Sequence, residues 1–324
     1  MGLLRAGVAA ALLLASATAP VAAQSSKDLA KYPVSTVTLV THSSPGGGSD
    51  VFLRQLAKIL GPEMGVTFVV ENVRGGSGAR AVAKVAQSPP DGSVLYATTP
   101  TYIQTSLLSK PEFGYDSLDP VAVVFYDPEV LFTRAQSSFK TLADAIAYAK
   151  QGPGRGKWGA ANPGSLERIA LERLNRVTRA RAAVVSHEGG GDLMINVLNG
   201  TLDMGVGEIQ ELRAQIDAKQ VRLLAVLTDE RLEEFPDLPT ARQQEVDVAV
   251  TKFRGLAGPK GAPKEVAAAW EAALRRVLAD PVYKQIYAED SLIPTLMGQE
   301  QARAFTAKFA DDVRREFRDL GIIR

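Results

Sequence analysis

A short apolar run, a glycine-bearing loop and a helix follow one another repeatedly along this chain, and that order admits few folds. The first instance is residues 37–60, VTLVTHSSPGGGSDVFLRQLAKIL. Val37, Thr38, Leu39 and Val40 fit a buried strand. Pro45 and the triplet Gly46, Gly47 and Gly48 make the turn. Ser49 or Asp50 is then placed to cap a helix with Phe52, Leu56, Ile59 and Leu60 on one face, and Gly61-Pro62 is its expected stop. A glycine turn feeding a helix start presents unpaired N–H groups and the positive end of a helix dipole, which together seat an anion. A tight turn with no ligand is the other reading of any one such loop.

The rhythm continues. Residues 66–70 read as a second strand, followed by the turn Gly75-Gly76-Ser77-Gly78 and a helix. Residues 94–98 read as a third, ending at Thr98-Thr99. Residues 158–161, 183–185, 202–206 and 221–227 read as further strands, with Asn162-Pro163-Gly164-Ser165 and Glu188-Gly189-Gly190-Gly191 opening helices. Strand, loop and helix in alternation mark an α/β fold of mostly parallel sheets flanked by helices. In such sheets ligands bind at the carboxyl ends of strands. The Gly46–Gly48 loop, the Gly75–Gly78 loop and Thr99 all fall there, which points to a binding cleft. Apolar, extended stretches at 121–133 and 246–259 read as two crossings between lobes, and helices at 263–278 and 299–320 as a return to the first lobe.

Composition narrows the classes. Arg5, the apolar residues 8–14 and the small residues Val21-Ala22-Ala23 form an export signal, giving a mature start at Gln24. A membrane anchor would need about 20 apolar residues, and Ser16, Thr18 and Pro20 interrupt the run. The remaining length exceeds what one core usually fills, so two lobes are expected. The 37 Lys+Arg and 36 Asp+Glu nearly cancel, which argues against a nucleic-acid or membrane-surface role. With 0 Cys there are no disulfides, thiolate metal sites or cysteine lipidation, and 2 His leave little for a metal. The glycine triplet lacks the Lys-Ser/Thr of a nucleotide-phosphate loop, and neither GxGxxG nor Gly-x-Ser-x-Gly stands where a cofactor fold or hydrolase needs it. No cofactor, metal or catalytic residue is expected.

Four segments together resemble a known family: YPVSTVTLVTHSSPGGGSD, VVENVRGGSGARAVAKVAQSPPDG, EGGGDLMINVLNGTLDMG and the export signal. They look like the Bug family, the extracytoplasmic solute receptors of tripartite tricarboxylate transporters. The family's opening motif is met by Tyr32-Pro33, Pro45-Gly46-Gly47-Gly48, Ser49 and Asp50. Its second loop is met by Glu71-Asn72 and Gly75–Gly78, and its Pro-Asp-Gly turn by Pro90-Asp91-Gly92. The resemblance implies a two-lobed periplasmic binding fold of type II, with residues 24–128 and 251–324 in lobe 1 and 129–250 in lobe 2. It implies a monomer that captures a small organic anion in the periplasm and hands it to membrane permease subunits. A ligand carboxylate would be gripped by the backbones around Ser44, Gly46, Gly47, Gly48 and Ser49, and around Gly75, Gly76, Ser77 and Gly78. Lobe 2 departs from the pattern. The step Gly164-Ser165 is kept, but Val185-Ser186-His187-Glu188-Gly189-Gly190 replaces Val-Pro-Tyr-Lys-Gly-Gly.

Thr99, Tyr102, Ser165, His187 and Gly189 complete the candidate site. His187 reads either as a ligand hydrogen-bond partner or as a surface loop histidine. Tyr102 reads as a stacking partner or as half-buried packing. His42 reads as packing or a loop brace, Asp50 as a helix cap, Trp158 as core, and Arg74 and Arg80 as exposed charges beside the second loop. Two other classes stay open: a receptor presenting its ligand to a membrane sensor, and a hydrolase built on His42 or His187.

Overall fold

A computed structural model describes residues 32–152, 154–319 and 321–323. The export signal expected at 1–23 lies outside them. The chain opens with β1 (Thr36–Thr41), α1 (Gly48–Met64), β2 (Thr67–Asn72), α2 (Ala79–Ala86), β3 (Val94–Thr98), α3 (Pro100–Ser109) and β4 (Leu118–Tyr126). It crosses at Asp127-Pro128 into β5 (Glu129–Arg134) and α4 (Leu142–Lys150). Then come β6 (Lys157–Ala160), α5 (Leu166–Thr178), β7 (Ala183–Ser186), α6 (Gly190–Leu198), β8 (Met204–Glu208), α7 (Ile209–Asp217) and β9 (Val221–Val226). It returns through β10 (Phe253–Pro259), α8 (Lys264–Ala279), α9 (Pro281–Glu289), β11 (Ile293–Met297) and α10 (Gln299–Asp319). No helix among the described residues is long and apolar enough to cross a membrane.

Two sheets result, a 6-stranded one in the order β11-β4-β10-β3-β1-β2 and a 5-stranded one in the order β7-β6-β8-β5-β9. Both are mixed. β1, β2 and β3 pair in parallel while β10 runs against β3 and β4. In the second sheet β6, β7 and β8 are parallel and β5 runs against β8 and β9. The reversed strands β5 and β10 each enter their sheet from a crossing, and β11 is reversed as well, at the edge beside β4.

Each sheet has its own core. Phe52, Leu56, Phe125, Trp270 and Tyr283 are buried on one side of the first sheet, under α1, α8 and α9. Tyr96, Tyr102 and Phe253 are buried on the other, under α2, α3 and α10. Trp158, Leu171 and Met204 fill the second lobe. The Tyr32-Pro33 and Pro90-Asp91-Gly92 motifs belong to this framework: the Tyr32 hydroxyl donates to Gly92 O at 2.9 Å and accepts from Trp270 Nε1 at 2.9 Å.

α1 differs from its expected bounds at both ends. Gly47 is its N-cap, not Ser49 or Asp50. Asp50 instead accepts from Gly46 N at 2.9 Å, from Asn72 Nδ2 at 2.9 Å and from Arg54. Burial works to raise its carboxyl, but these donors outweigh it and hold it below the usual range. At the far end the helix runs past Pro62, whose missing N–H removes one helical hydrogen bond just before the helix stops. It stops at Gly65, in the left-handed conformation at φ 65°.

Candidate binding cleft

The carboxyl ends of β1, β3, β6, β7 and β8 face a common space between the lobes, and the residues entering β10 close its floor. From the first lobe come His42, Ser43, Gly48 and Ser49 after β1, and Thr99 and Thr101 after β3. From the second come Ala161 and Asn162 after β6, Gly189 and Gly190 after β7, and Glu208 and Glu211 around the β8–α7 junction. The lobes meet around this space. Gly164 N donates to Ser77 Oγ at 3.2 Å, Gln210 Nε2 to Asp127 Oδ2 at 2.6 Å, and Arg74 pairs with Asp192. The space left between the lobes here is about 20 Å³, and one water needs roughly 10–15 Å³.

The cleft is built of buried charge. Arg254 on β10 donates from Nε to Asp127 Oδ2 at 2.6 Å and from Nη1 to Ser49 Oγ at 2.6 Å, and its Nη2 lies 2.9 Å from Glu208 Oε1. Lys252 Nζ donates to Glu129 Oε1 at 2.8 Å and to Glu167 Oε1 at 2.6 Å, and also pairs with Glu208. Glu129, Glu167 and Glu208 bring carboxylate oxygens within 4.8 Å of one another, a spacing that suits a cation, and the Lys252 ammonium lies among them. Glu211 Oε2 accepts from Gly48 N at 2.7 Å. That N–H opens α1, so lobe 2 places a carboxylate on the helix start of lobe 1.

Burial decides how these groups ionise. It pushes the Glu211 carboxyl up to about 8, helped by the charge of Glu167. It pushes Glu129 well above the usual range, against the pull of Lys252. Burial opposes ionisation of Glu167 too, but the charge and hydrogen bond of Lys252 win and hold it at about 2. Lys252 itself is raised: burial acts to lower it, and Glu129 and Glu167 outweigh that. Burial lowers His42 to about 4, leaving a neutral imidazole whose Nδ1 shares a 2.6 Å hydrogen bond with the Tyr96 hydroxyl.

Of the residues singled out from sequence, Gly48, Ser49, Thr99 and Gly189 come together on the cavity wall. A side chain at Gly48 would run into Arg254 and Glu208, and one at Gly189 into Ser44, so these glycines permit the lobes' close approach. Ser44 is buried beneath Gly189, Gly47 is the buried cap of α1, and Gly46 is exposed. The second glycine loop stands one layer back. Gly78 packs on the His42 ring, Ser77 bridges to Gly164, and Gly75 and Gly76 are outside the cavity wall.

Ser165 caps α5, its Oγ accepting from Arg168 N at 3.3 Å, and so aims Glu167 two residues on. Two candidates lie off the cavity wall, in line with the second reading of each. Tyr102 is buried among Tyr96 and Tyr115 in the first-lobe core and does not reach the cavity, because α3 turns that face toward its own sheet. His187 is tied to Ala160 O through its backbone N–H at 3.1 Å and sits half-buried outside the cavity wall. The sequence reading missed Glu167, Glu208, Glu211, Lys252 and Arg254. Their signal was present: a Lys and an Arg inside the otherwise apolar run 248–259, and acids directly after a predicted strand.

The chain matches the family model described as tripartite tricarboxylate transporter family receptor over residues 52–321. It is 27% identical over 311 residues to a UPF0065 protein of Agrobacterium vitis, covering 94% of this chain and 88% of that one. It is 26% identical over 304 residues to Protein BugT of Bordetella pertussis, covering 92% of each. Among solved structures it resembles the periplasmic binding protein BugD, with a TM-score of 0.84 at 24% identity over 90% of this chain and 99% of that one. It resembles Rpa4515 of R. palustris with adipate equally well, at a TM-score of 0.84, 24% identity and 90% and 98% coverage. MatC of Rhodopseudomonas palustris with bound malate gives a TM-score of 0.79 at 24% identity over 89% of this chain and 99% of that one. These structures share the two-lobed α/β fold of periplasmic binding proteins. By its family match the chain belongs to the receptors of the tripartite tricarboxylate transporter family.

Proposed function

We propose that the chain is a periplasmic receptor that captures a small carboxylate-bearing solute between its lobes and presents it to the membrane permease of a tripartite tricarboxylate-type transporter. The observation that carries this is the start of α1: Gly48 and Ser49, backed by Arg254, face the strand ends of the other lobe across the cleft. Relatives of the same fold hold malate and adipate. Residues 24–128 with 251–324 move as one lobe and 129–250 as the other, hinging at Asp127-Pro128 and near Thr251. Capture makes and breaks no covalent bond; this rests on membership of a receptor family. Periplasmic residence rests on the export signal read at residues 1–23.

The test is thermal unfolding of purified protein, refolded to strip carried-over solute, against malate, adipate, succinate and amino acids. A binder at 100 times its Kd raises stability by about 2.7 kcal/mol. A clear shift with one chemical group of carboxylates is expected. No shift with any of them, or chemical turnover of one, contradicts the reading.

A further inference from the structure

The cleft holds more carboxyl groups than cations, and burial keeps Glu211 and Glu129 protonated at neutral pH while no further cation among the described residues faces them. Glu167, Glu208 and Glu211 line it, and Asp127 and Glu129 stand directly behind. Against these five carboxyl groups are Lys252 and Arg254, and His42 is neutral at ordinary pH. Both cations are already committed, Lys252 to Glu129, Glu167 and Glu208, and Arg254 to Asp127 and Glu208. Among the described residues no ion pair involves Glu211. Glu167 keeps a second oxygen, Oε2, fully buried and without a hydrogen-bond partner, in a side chain that lines the cavity. An unsatisfied buried acceptor of this kind calls for a donor.

Glu211 occupies a particular place. Its carboxylate takes the Gly48 N–H, the first free donor of α1, where a solute carboxylate would otherwise dock. Gly190 and Gly207 leave the room that its head group fills, since a side chain at either would strike it. A solute carboxylate that takes the Gly48 N–H displaces Glu211 and leaves this buried side chain without that partner. A dicarboxylate does this while adding two more negative charges, and uncompensated buried charge is strongly unfavourable. A solute with an ammonium group resolves both: its carboxylate replaces Glu211 on Gly48, and its ammonium meets Glu211 and the open oxygen of Glu167. The Lys252 ammonium among Glu129, Glu167 and Glu208 shows that this wall accepts such a group.

We propose that the solute is an amine-bearing carboxylate of net charge zero or above, its ammonium held by Glu211 and Glu167, and that simple dicarboxylates are discriminated against. This rests on the receptor reading given above. At about 20 Å³ the cavity holds no such solute while Glu211 is seated on Gly48, so withdrawal of Glu211 is the step that makes room.

The experiment is isothermal titration calorimetry on the purified, refolded protein with matched pairs in which one carboxylate is exchanged for an ammonium. The pairs are succinate with β-alanine and adipate with 5-aminopentanoate, and the common α-amino acids extend the amine side. The expected result is that amine-bearing members bind at least tenfold tighter. Equal or tighter binding of the dicarboxylates overturns the inference and leaves the receptor reading standing; binding by neither group overturns both. Glu211→Gln keeps an acceptor for Gly48 and removes only the ability to ionise against an incoming ammonium. It is expected to weaken the amine member at least tenfold while leaving the dicarboxylate member unchanged or tighter. Equal weakening of both marks Glu211 as structural only and overturns the inference. The pair comparison on the unaltered chain decides the matter even if the variant does not fold.

Discussion

Lys252 brings one positive charge to three buried carboxylates, and Arg254 brings one to two. Removing either partner of such a set leaves charge in a dry interior, which costs about 3–5 kcal/mol. Lys252→Met is therefore expected to lose about that much stability in urea unfolding at pH 7. A loss below about 1 kcal/mol would mean the cluster is solvated and not buried. Glu211 gives a pH signature. Its folded pKa of about 8 lies above its ordinary value of 4.5, so the folded state holds a proton that the unfolded chain has released. That contribution is full below about pH 4.5 and is lost as pH rises toward 8, at up to about 1.4 kcal/mol per pH unit. His42 acts oppositely: with its pKa lowered from 6.5 to about 4, stability rises with pH across that window. Urea midpoints at pH 6.5 and 8.5 separate the two. The unaltered chain is expected to weaken between them, and Glu211→Gln to weaken less. An identical decline in both would remove Glu211 as its cause.

At the scale of elements, the strand-to-helix loops were the legible part, because a strand, a glycine turn and a cap are all local in sequence. That Gly48, Ser49, Thr99 and Gly189 share one cavity wall was legible for that reason. Tyr102 and His187 lie off that wall because the turn of α3 and the tether of the β7–α6 loop decide which way a side chain faces, and tertiary packing sets both. Lys252 and Arg254 escaped because β10 pairs with β3 and β4 from far along the chain, and nothing local places it at the cleft floor. α9 and β11 escaped for a similar reason: both are short, and β11 is an edge strand carrying Pro294. Two predictions belong here. Tyr32→Phe strips the bridge between Gly92 and Trp270 and is expected to cost about 1–3 kcal/mol in chemical unfolding; a neutral result would show that the two motifs meet without depending on this bond. Gly189→Val puts a branched side chain against Ser44 at a backbone φ of 156°. It is expected to weaken solute binding at least tenfold with circular dichroism unchanged, and wild-type affinity would show that β7–α6 does not close on the first lobe.

For the whole molecule, the two sheets, their separate cores and the paired crossings make each lobe a unit, and the contacts around the cleft are polar: Gly48 with Glu211, Ser77 with Gly164, Gln210 with Asp127, Arg74 with Asp192, while one small apolar cluster joins Ile169 to Val313 and Phe317. Polar interfaces between units with their own cores favour relative motion, and a solute that satisfies both faces shifts the balance toward closure. The chain has 0 Cys, so labels can be placed at will. Val69 on the first lobe and Ile195 on the second are exposed. Val69→Cys with Ile195→Cys, spin-labelled, reports the distance between lobes by pulsed electron resonance. With the tightest binder of the calorimetric pairs, the account predicts one short, narrow population, and without it a longer or broader one. The same distance distribution in both conditions would contradict capture by closure of the two lobes.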